Sequence, residues 1–336
     1  MNASPGFLLI ASSNMQRTPA FERAVALARA CDAALRILAL DYFRALEIMG
    51  VFDRSALVAL RDSYLESHCR WLEEQAAQER ARGLDCSVEV LWTDDDFEAI
   101  STHVQMARPM MLIKDVHHEP LFARLFSTPL DWLLLRDCTC PVQFVTDARH
   151  PLPGKVLAAV NLYRYQEADL QLNDTLVAMA ARLARQCGAS VHVLYSYDWS
   201  EFYARNITML GALPIETGFH EALGEAHEQA FSALCDRHAI AHDCRHFLTG
   251  TPLQTISEFA REQDIDLLVM GTLPRTRLEK VIGNTAESLL IHSPSSVLVI
   301  KPGDHTVEAG RGASVESPVE SPAAAQRRTP MRALWP

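Results

Sequence analysis

The sequence predicts a duplicated α/β protein in which each copy forms an open, five-stranded parallel layer. The 336 residues exceed the roughly 100–200 expected of one domain. The segment LARACDAALRIL at 27–38 returns as LARQCGASVHVL at 183–194, which sets an offset of 156 residues (27 to 183). Apolar runs of strand length alternate with helical patterns in both copies, as is typical of a parallel sheet covered on both faces.

The same offset aligns further identical residues, and one chance match would not produce all of them. The pairs are Thr93 and Thr249, Ile100 and Ile256, Ser101 and Ser257, and Leu112 and Leu268. We therefore interpret the chain as two copies of one unit.

The predicted strands are short apolar runs that follow the same order in each copy. They are 7–12, 35–40, 88–93, 110–114 and 142–145 in the first copy, and 156–161, 191–196, 244–249, 267–271 and 297–300 in the second. Amphipathic patterns predict a helix after each first strand, over 17–32 and 168–187. Asp94, Asp95 and Asp96 suit the start of a helix in the first copy, and Pro252 starts its equivalent in the second.

Composition shifts set the predicted domain boundaries. The two prolines and one glycine of ARHPLPGK mark a linker. We predict a first domain over 5–147, a linker over 148–154 and a second domain over 155–303. Residues 304–336 are rich in Ala, Ser, Pro and charge, so this tail is predicted to be disordered.

Charge and hydropathy narrow the class of partner. A net charge of −11 argues against a general nucleic-acid binder, which needs a basic surface. The chain shows no apolar run of about eighteen residues and no signal-peptide pattern at its start, so we expect a cytoplasmic protein without a membrane segment. Its eight cysteines are scattered without metal-ligand or disulfide spacing, and most are expected to be buried thiols.

Two stretches resemble a known family. GTLPRTRLEKVIGNTAESLL (271–290), followed by HSPSSVLVIKP (292–302), is similar to the end of the universal stress protein fold, whose nucleotide-binding members carry G-x2-G-x9-G-[ST] after the fourth strand. STPLDWLLLRDCTCPVQFV (127–145) is the corresponding part of the first copy. With the duplication, the chain resembles a tandem member over about residues 5–303. The resemblance implies a stress-response protein without assigned catalytic residues, in a family where some members bind ATP.

The candidate ligand site lies in the second copy, where a loop leaves the fourth strand and opens a helix toward an anion. Its candidate binding residues are Asn161, Gly271, Arg275, Gly283, Asn284 and Thr285. Two features oppose phosphate binding: Pro274 replaces the second glycine of the pattern and offers no N–H, and eight residues, not nine, separate it from Gly283. We interpret the loop as an eroded cradle, with ATP or another adenine nucleotide left open as its ligand.

The first copy departs further from the nucleotide-binding pattern. KDVHHEPLFARLFSTPLDW (114–132) contains no glycine, and Asp115 stands at the position of Gly271. Because its carboxylate would repel a phosphate, we predict no ATP in this half. No catalytic loop or nucleophile motif appears in either copy, so an enzyme is not expected.

Several other side chains raise hypotheses that stay open at this point. His117 and His118 form either a metal or phosphate site or an ordinary surface loop. His242, Cys244 and His246 would share one face if 242–246 were a strand, and could then bind zinc or copper. Cys138 and Cys140 are expected to stay thiols, because one intervening residue suits a disulfide poorly. No metal is predicted.

The aromatic residues in 44–85 and 200–243 either line an apolar pocket or belong to the core. We favour the core.

The sequence therefore predicts a non-catalytic regulatory or interaction module of the stress response, with protein partners. The two copies are expected to pair as an intramolecular pseudo-dimer through 142–145 and 297–300, with further homodimerisation left open. The alternative is a ligand sensor whose second copy binds ATP or an apolar metabolite.

Overall fold

The computed structural model describes residues 6–42, 54–116, 130–146, 150–163, 167–199, 219–272, 288–290, 293–302 and 304. Within these ranges the chain forms ten strands. Those of the first half are β1 Phe7–Ala11, β2 Leu35–Asp41, β3 Cys86–Trp92, β4 Met111–Asp115 and β5 Val142–Val145. Those of the second half are β6 Lys155–Val160, β7 Ser190–Tyr197, β8 Arg245–Thr249, β9 Leu267–Gly271 and β10 Ser296–Ile300.

Seven α-helices belong to the described ranges. They are α1 Pro19–Ala30, α2 Arg54–Ala81, α3 Asp96–Ala107, α4 Leu130–Asp137, α5 Glu167–Cys187, α6 Phe219–Arg237 and α7 Pro252–Glu262. Local chemistry explains where several of them start. The Thr18 hydroxyl accepts the Phe21 N–H ahead of Pro19, and the Asp95 carboxylate accepts the Glu98 N–H at the start of α3. Pro252 opens α7. The predicted starts at the acidic run and at Pro252 are confirmed.

All ten strands belong to one sheet, in the order β3-β2-β1-β4-β5-β10-β9-β6-β7-β8. Strands within each half are parallel, whereas β5 and β10 pair antiparallel, with Phe144 opposite Val297 and Val142 opposite Val299. This junction between the halves, which we call the seam, joins the two five-stranded layers edge to edge. It confirms the predicted pseudo-dimer through the last strands.

The seam strands are buried along their whole length, and apolar residues cover the sheet on both faces. Alternate residues of β10 enter different clusters, with Leu298 and Ile300 on the face of α1 and α5 and Val297 and Val299 on the other. Strands that are buried on both faces read as continuous apolar runs, which is why the sequence revealed them.

The third strand of the second half differs from its prediction. Residues 244–249 were expected to be extended, but β8 begins at Arg245, and residues His242–Cys244 form a turn of 3-10 helix. The Cys244 N–H donates to the Ala241 carbonyl within that turn (3.0 Å). Polar residues surround this strand start, so no apolar period marked it.

The remaining sequence-based expectations concern a membrane segment, the domain boundaries and the C-terminal tail. No helix in the described ranges is both long and apolar enough to cross a membrane. The predicted domain boundaries stay predictions, and the predicted disordered tail falls outside the described residues apart from position 304.

Candidate functional site at the strand ends

Ligands of open α/β sheets bind beyond the carboxyl ends of the strands, where the strand order reverses. In the first half this point lies between the neighbouring strands β1 and β4, and in the second between β6 and β9. Asn161 follows β6 and Gly271 ends β9, so the structure places two of the predicted binding residues on the two strands that flank this point. Arg275, Gly283, Asn284 and Thr285 lie outside the described residues.

Asn161 is exposed, but its side-chain oxygen is used locally. The Tyr163 N–H donates to Asn161 Oδ1 (3.0 Å), which closes a turn directly after β6. The Asn173 side chain of α5 fixes the backbone of the same residue, because its Oδ1 accepts the Asn161 N–H (3.0 Å) and its Nδ2 donates to the Asn161 carbonyl (2.8 Å). This arrangement holds the strand end rigidly and leaves the Asn161 Oδ1 with a structural role.

Gly271 packs closely beneath helix α5. A Cβ atom at this position would stand 2.7 Å from Leu172 Cδ2 and 3.1 Å from Leu172 Cγ. The Thr272 N–H then donates to the Ile300 carbonyl (3.0 Å), so the backbone continues along β10 for one more residue. Leu172 therefore leaves little room for a side chain here, which accounts for the glycine independently of any phosphate.

We expect Gly271→Val to lower the free energy of unfolding by about 1–3 kcal/mol, because the added atoms overlap Leu172. Gly224→Ala is the matched control, since a Cβ there would only meet Tyr197 Cε1 at 4.0 Å. Gly224 lies inside α6, so alanine should stabilise by about 0.5–1 kcal/mol. Urea titrations of both variants would measure this; an unchanged midpoint for Gly271→Val would refute the packing role.

In the first half a carboxylate of the protein itself lies at the N-terminus of α1, where an anionic ligand could otherwise bind. The Ala20 N–H, in the first turn of α1, donates to Asp115 Oδ1 at the end of β4 (2.9 Å). A carboxylate is stabilised at this end of the helix dipole. Asp115 was predicted to repel a phosphate, and its contact with α1 shows that it also takes one of the N–H groups that a phosphate would need.

The cationic side chains around this strand end are also paired within the protein. Arg17, in the loop between β1 and α1, forms ion pairs with Glu22 (2.6 Å) and Glu79 (3.0 Å). The fully buried Glu79 carboxylate additionally contacts Arg29 and, at 3.5 Å, Arg82. At the end of β4 the buried Lys114 ammonium contacts Asp131 of α4 and donates to the Asp115 carbonyl (2.7 Å). These cations stabilise the fold of the first half.

One buried polar pair at the same edge was missed by the sequence reasoning. His68 of α2 and Asp41 at the end of β2 lie in hydrogen-bond contact (Nδ1 to Oδ2, 2.7 Å), and both side chains are fully buried. Burial and the nearby Asp41 raise the pKa of Tyr64 to about 12. The two partners are far apart in the sequence and no local spacing links them, so no signal in the chain could have found the pair.

The described aromatic residues of the second half pack on one another beneath α6. Tyr195 Oη and His227 Nδ1 are 2.9 Å apart, and the Tyr163, Tyr197 and Phe247 rings surround them, with His227 centroid distances of 5.2 Å to Tyr163 and 5.3 Å to Tyr197. This contact network is that of a core, but its four Tyr and Phe rings lie outside the predicted segments 44–85 and 200–243. Within those segments Phe231 is buried in the core. Residues 44–53 and 200–218 lie outside the described residues, so the choice between pocket and core stays open there.

The buried His227 gives a pH prediction. Burial lowers its pKa below the ordinary value of about 6.5, so the unfolded chain takes up this proton first as the pH falls. Stability contributed by the neutral ring is therefore lost as the pH falls below about 6.5, at up to about 1.4 kcal/mol per pH unit for one proton. We expect a shallower slope of unfolding free energy between pH 7 and 5 in His227→Phe, and an unchanged slope would contradict this.

The hypothesis of a metal site at His242, Cys244 and His246 is wrong in its geometry. Because His242–Cys244 form a helical turn, the three side chains do not alternate along one strand. His246 instead stacks on His192, with Nε2 3.1 Å from His192 Nδ1. Among the described residues, no group of three or more His, Cys, Asp or Glu side chains is placed to hold a metal ion. His117 and His118 lie outside those residues.

All eight cysteines are free thiols, but fewer are buried than predicted. Four are buried, three are half-buried and Cys69 is exposed. Cys138 and Cys140 are both buried, with their sulfur atoms 3.7 Å apart, which confirms that they are not joined in a disulfide. A hydrogen bond with the Cys140 thiol lowers the pKa of Cys138 below the ordinary value of a cysteine.

Comparison with known proteins gives matches along most of the chain. A family model described as "Universal stress protein family" matches residues 8–146 and 169–301. Universal stress protein E of Escherichia coli K12 is 30% identical over 300 residues, covering 89% of this chain and 94% of the relative. A Haemophilus influenzae homologue is 27% identical over 298 residues, covering 84% of this chain and 95% of its own.

Solved structures agree with these matches. A functionally unknown protein from Pseudomonas aeruginosa superposes with a TM-score of 0.66 at 25% identity, covering 90% of this chain and 94% of the other. A second structure from that organism, of a candidate universal stress protein, has a TM-score of 0.67 at 26% identity, covering 90% and 95%. The likeness extends over both halves of the chain.

Proposed function

The chain belongs to the universal stress protein family, as a tandem member of the universal stress protein E type, and we propose that it acts in the stress response as a non-catalytic regulatory or interaction module. In this proposal its partners are proteins, and its activity does not require a bound nucleotide. Its placement in the cytoplasm and any further homodimerisation stay predictions from the sequence.

The contact between Asp115 and the first turn of α1 is the observation that carries this proposal. The helix N-terminus that could stabilise a phosphate in the first half is already satisfied by a carboxylate 2.9 Å from the Ala20 nitrogen. A nucleotide would have to displace that carboxylate and then bear its repulsion. Since Arg17 is also paired with two glutamates, the first half offers no unpaired described cation at this position to compensate.

A ligand sensor is the second candidate, and the arrangement of the second half favours it over an enzyme. Asn161 directly follows β6 and Gly271 ends the neighbouring strand β9, at the point where the strand order reverses. Arg275, Gly283, Asn284 and Thr285 would complete an adenine-nucleotide site there, while Pro274 removes one N–H from it. An apolar metabolite is the other ligand class that this candidate retains.

A substitution at Gly283, in the glycine loop of the second half, distinguishes the two candidates and leaves the sequence of the first half unchanged. A strain that lacks the protein would be complemented with the native chain or with Gly283→Val, and its survival would be measured under the stress that induces the protein. An interaction module predicts equal rescue by both chains at equal protein level. Loss of rescue by Gly283→Val, with the variant still folded, would replace the module by the sensor.

A further inference from the structure

A polar cleft lies at the seam, away from the strand ends described above. The volume of this cleft that is accessible to water is about 90 Å³. The first half contributes Arg23 of α1 and Thr146 after β5. The second contributes residues around the starts of β9 and β10, namely Ala260, Arg261, Asp264, Ile265, Asp266, Pro294, Ser295 and Ser296. Because one water needs about 10–15 Å³ by this measure, the cleft has room for a tetrahedral ion of five heavy atoms.

Arg23 is the unusual member of this lining. Its side chain is only 1% exposed, yet neither its Nε nor its Nη1 has a hydrogen-bond partner within the described structure. Its Nη2 donates to the His150 carbonyl (3.2 Å), which fixes the guanidinium in place. A buried donor without a partner is costly, and a charged one more so. An acceptor within the cleft would satisfy both free nitrogens.

The second half has no arginine at the position equivalent to Arg23. The repeat offset of 156 residues places Met179 of α5 at the equivalent position of the second half, where it is also buried. The same helix position therefore accepts an apolar side chain of similar length. The guanidinium in the first half is an addition to the common fold, and it lies in the half that contributes Thr146 to the cleft.

Other lining groups complete a set of donors. The Ser296 side-chain oxygen accepts the Thr146 N–H (3.4 Å), which leaves its own hydroxyl proton to donate. Asp266 lies nearby, but its Oδ2 is held by the Gly154 and Lys155 N–H groups (2.8 and 2.9 Å). With Asp264 and Arg261 at the same cleft, the ionisable lining groups balance in charge. The cleft would therefore select its ligand by short hydrogen bonds. Because its charges balance, its affinity for an anion would be modest.

We propose that this seam cleft binds a small tetrahedral oxyanion, inorganic phosphate or sulfate, through Nε and Nη1 of Arg23 and the Ser296 hydroxyl. Burial lowers the pKa of Arg23, and the Asp266 charge opposes that shift without pairing directly. A bound anion would supply the missing partner. Because the cleft is built from both halves, its occupation would stabilise their junction.

The test is calorimetric titration of the intact protein with inorganic phosphate, sulfate and AMP in low-salt buffer at pH 7.5. We expect one saturable site for phosphate or sulfate with a Kd below about 5 mM, and a rise of about 2–4 °C in the unfolding midpoint at saturation. AMP should not compete, since the water-accessible space holds the ion alone. Competition by AMP would show that a nucleotide site is being measured and would overturn the assignment.

Arg23→Met imitates Met179 and should weaken phosphate binding at least tenfold. Arg70→Met is its matched control, because it changes the net charge equally at a side chain that is 65% exposed and forms an ion pair with Glu66. Ser296→Ala tests the same cleft if Arg23→Met fails to fold, and it should weaken binding about three- to tenfold. A Kd above about 5 mM for the native protein, or equal affinity in these cleft variants, would refute the site.

Discussion

Asp131→Ala is expected to lower the free energy of unfolding by about 3–5 kcal/mol. Asp131 is the carboxylate that contacts the Lys114 ammonium between β4 and α4. Lys114 is only 1% exposed, so removing Asp131 takes away the carboxylate that balances this buried charge. Thermal and urea unfolding of the variant would measure the loss.

The double variant Lys114→Met with Asp131→Leu provides the control. The second half already has Met270 at the position equivalent to Lys114, where it is buried in β9. Replacing a buried ion pair by apolar groups of similar volume is often neutral or stabilising. We therefore expect the double variant to recover most of the loss. A double variant as unstable as Asp131→Ala would mean that packing around Asp131, and not the unpaired charge, sets the cost.

Phe144→Ala is expected to cost about 3–5 kcal/mol, because the ring is fully buried in β5 at the seam. β5 pairs with both β4 and β10, so the cavity would weaken the sheet in both halves. Hydrogen exchange should therefore become faster at amides of β9 in the second half as well as at β4 in the first.

Met106→Ala is the control for that substitution, since this side chain is 78% exposed and its truncation should change stability by less than about 0.5 kcal/mol. Faster exchange confined to the first half in Phe144→Ala would show that the halves unfold independently. In that case the continuous sheet would not couple them energetically.

Much of the fold could be predicted because its central strands are buried on both faces. β5 and β9 have the predicted bounds, and the other strands overlap their predicted segments. The repeat supplied the rest, since two equal copies with apolar last strands predict a symmetric junction. The error at residues 242–244 arose where the strand start carries His, Asp, Cys and Arg, so that neither period 2 nor period 3.6 is visible.

The candidate site was less predictable, because the roles of its residues depend on what packs over them. Gly271 was read as part of a phosphate loop, while its space is taken by Leu172, roughly a hundred positions away in the chain. Asp115 was correctly identified as the equivalent of Gly271, but its contact with Ala20 depends on the docking of α1 on β4. Neither contact can be recognised from the spacing of residues along the chain.

The buried arginine of the seam shows the same limit. In the sequence Arg23 lies within an ordinary amphipathic helix, where a charged residue would be assigned to the solvent face. Only the antiparallel pairing of β5 with β10 brings α1 close to the loops that precede β9 and β10 and buries the side chain. The repeat alone shows that Met179 is equivalent to Arg23. Only the structure shows that Arg23 lines a cleft.

Calorimetric titration of the intact protein with ATP and Mg²⁺, followed by the same titration of Gly283→Val, is the most direct measurement of whether this chain works without a nucleotide. With Asp115 bound at α1 and Pro274 in the second loop, we predict no saturable binding with a Kd below about 50 µM. Saturable binding tighter than that in the native chain, lost in Gly283→Val, would contradict the account and make the protein a nucleotide sensor.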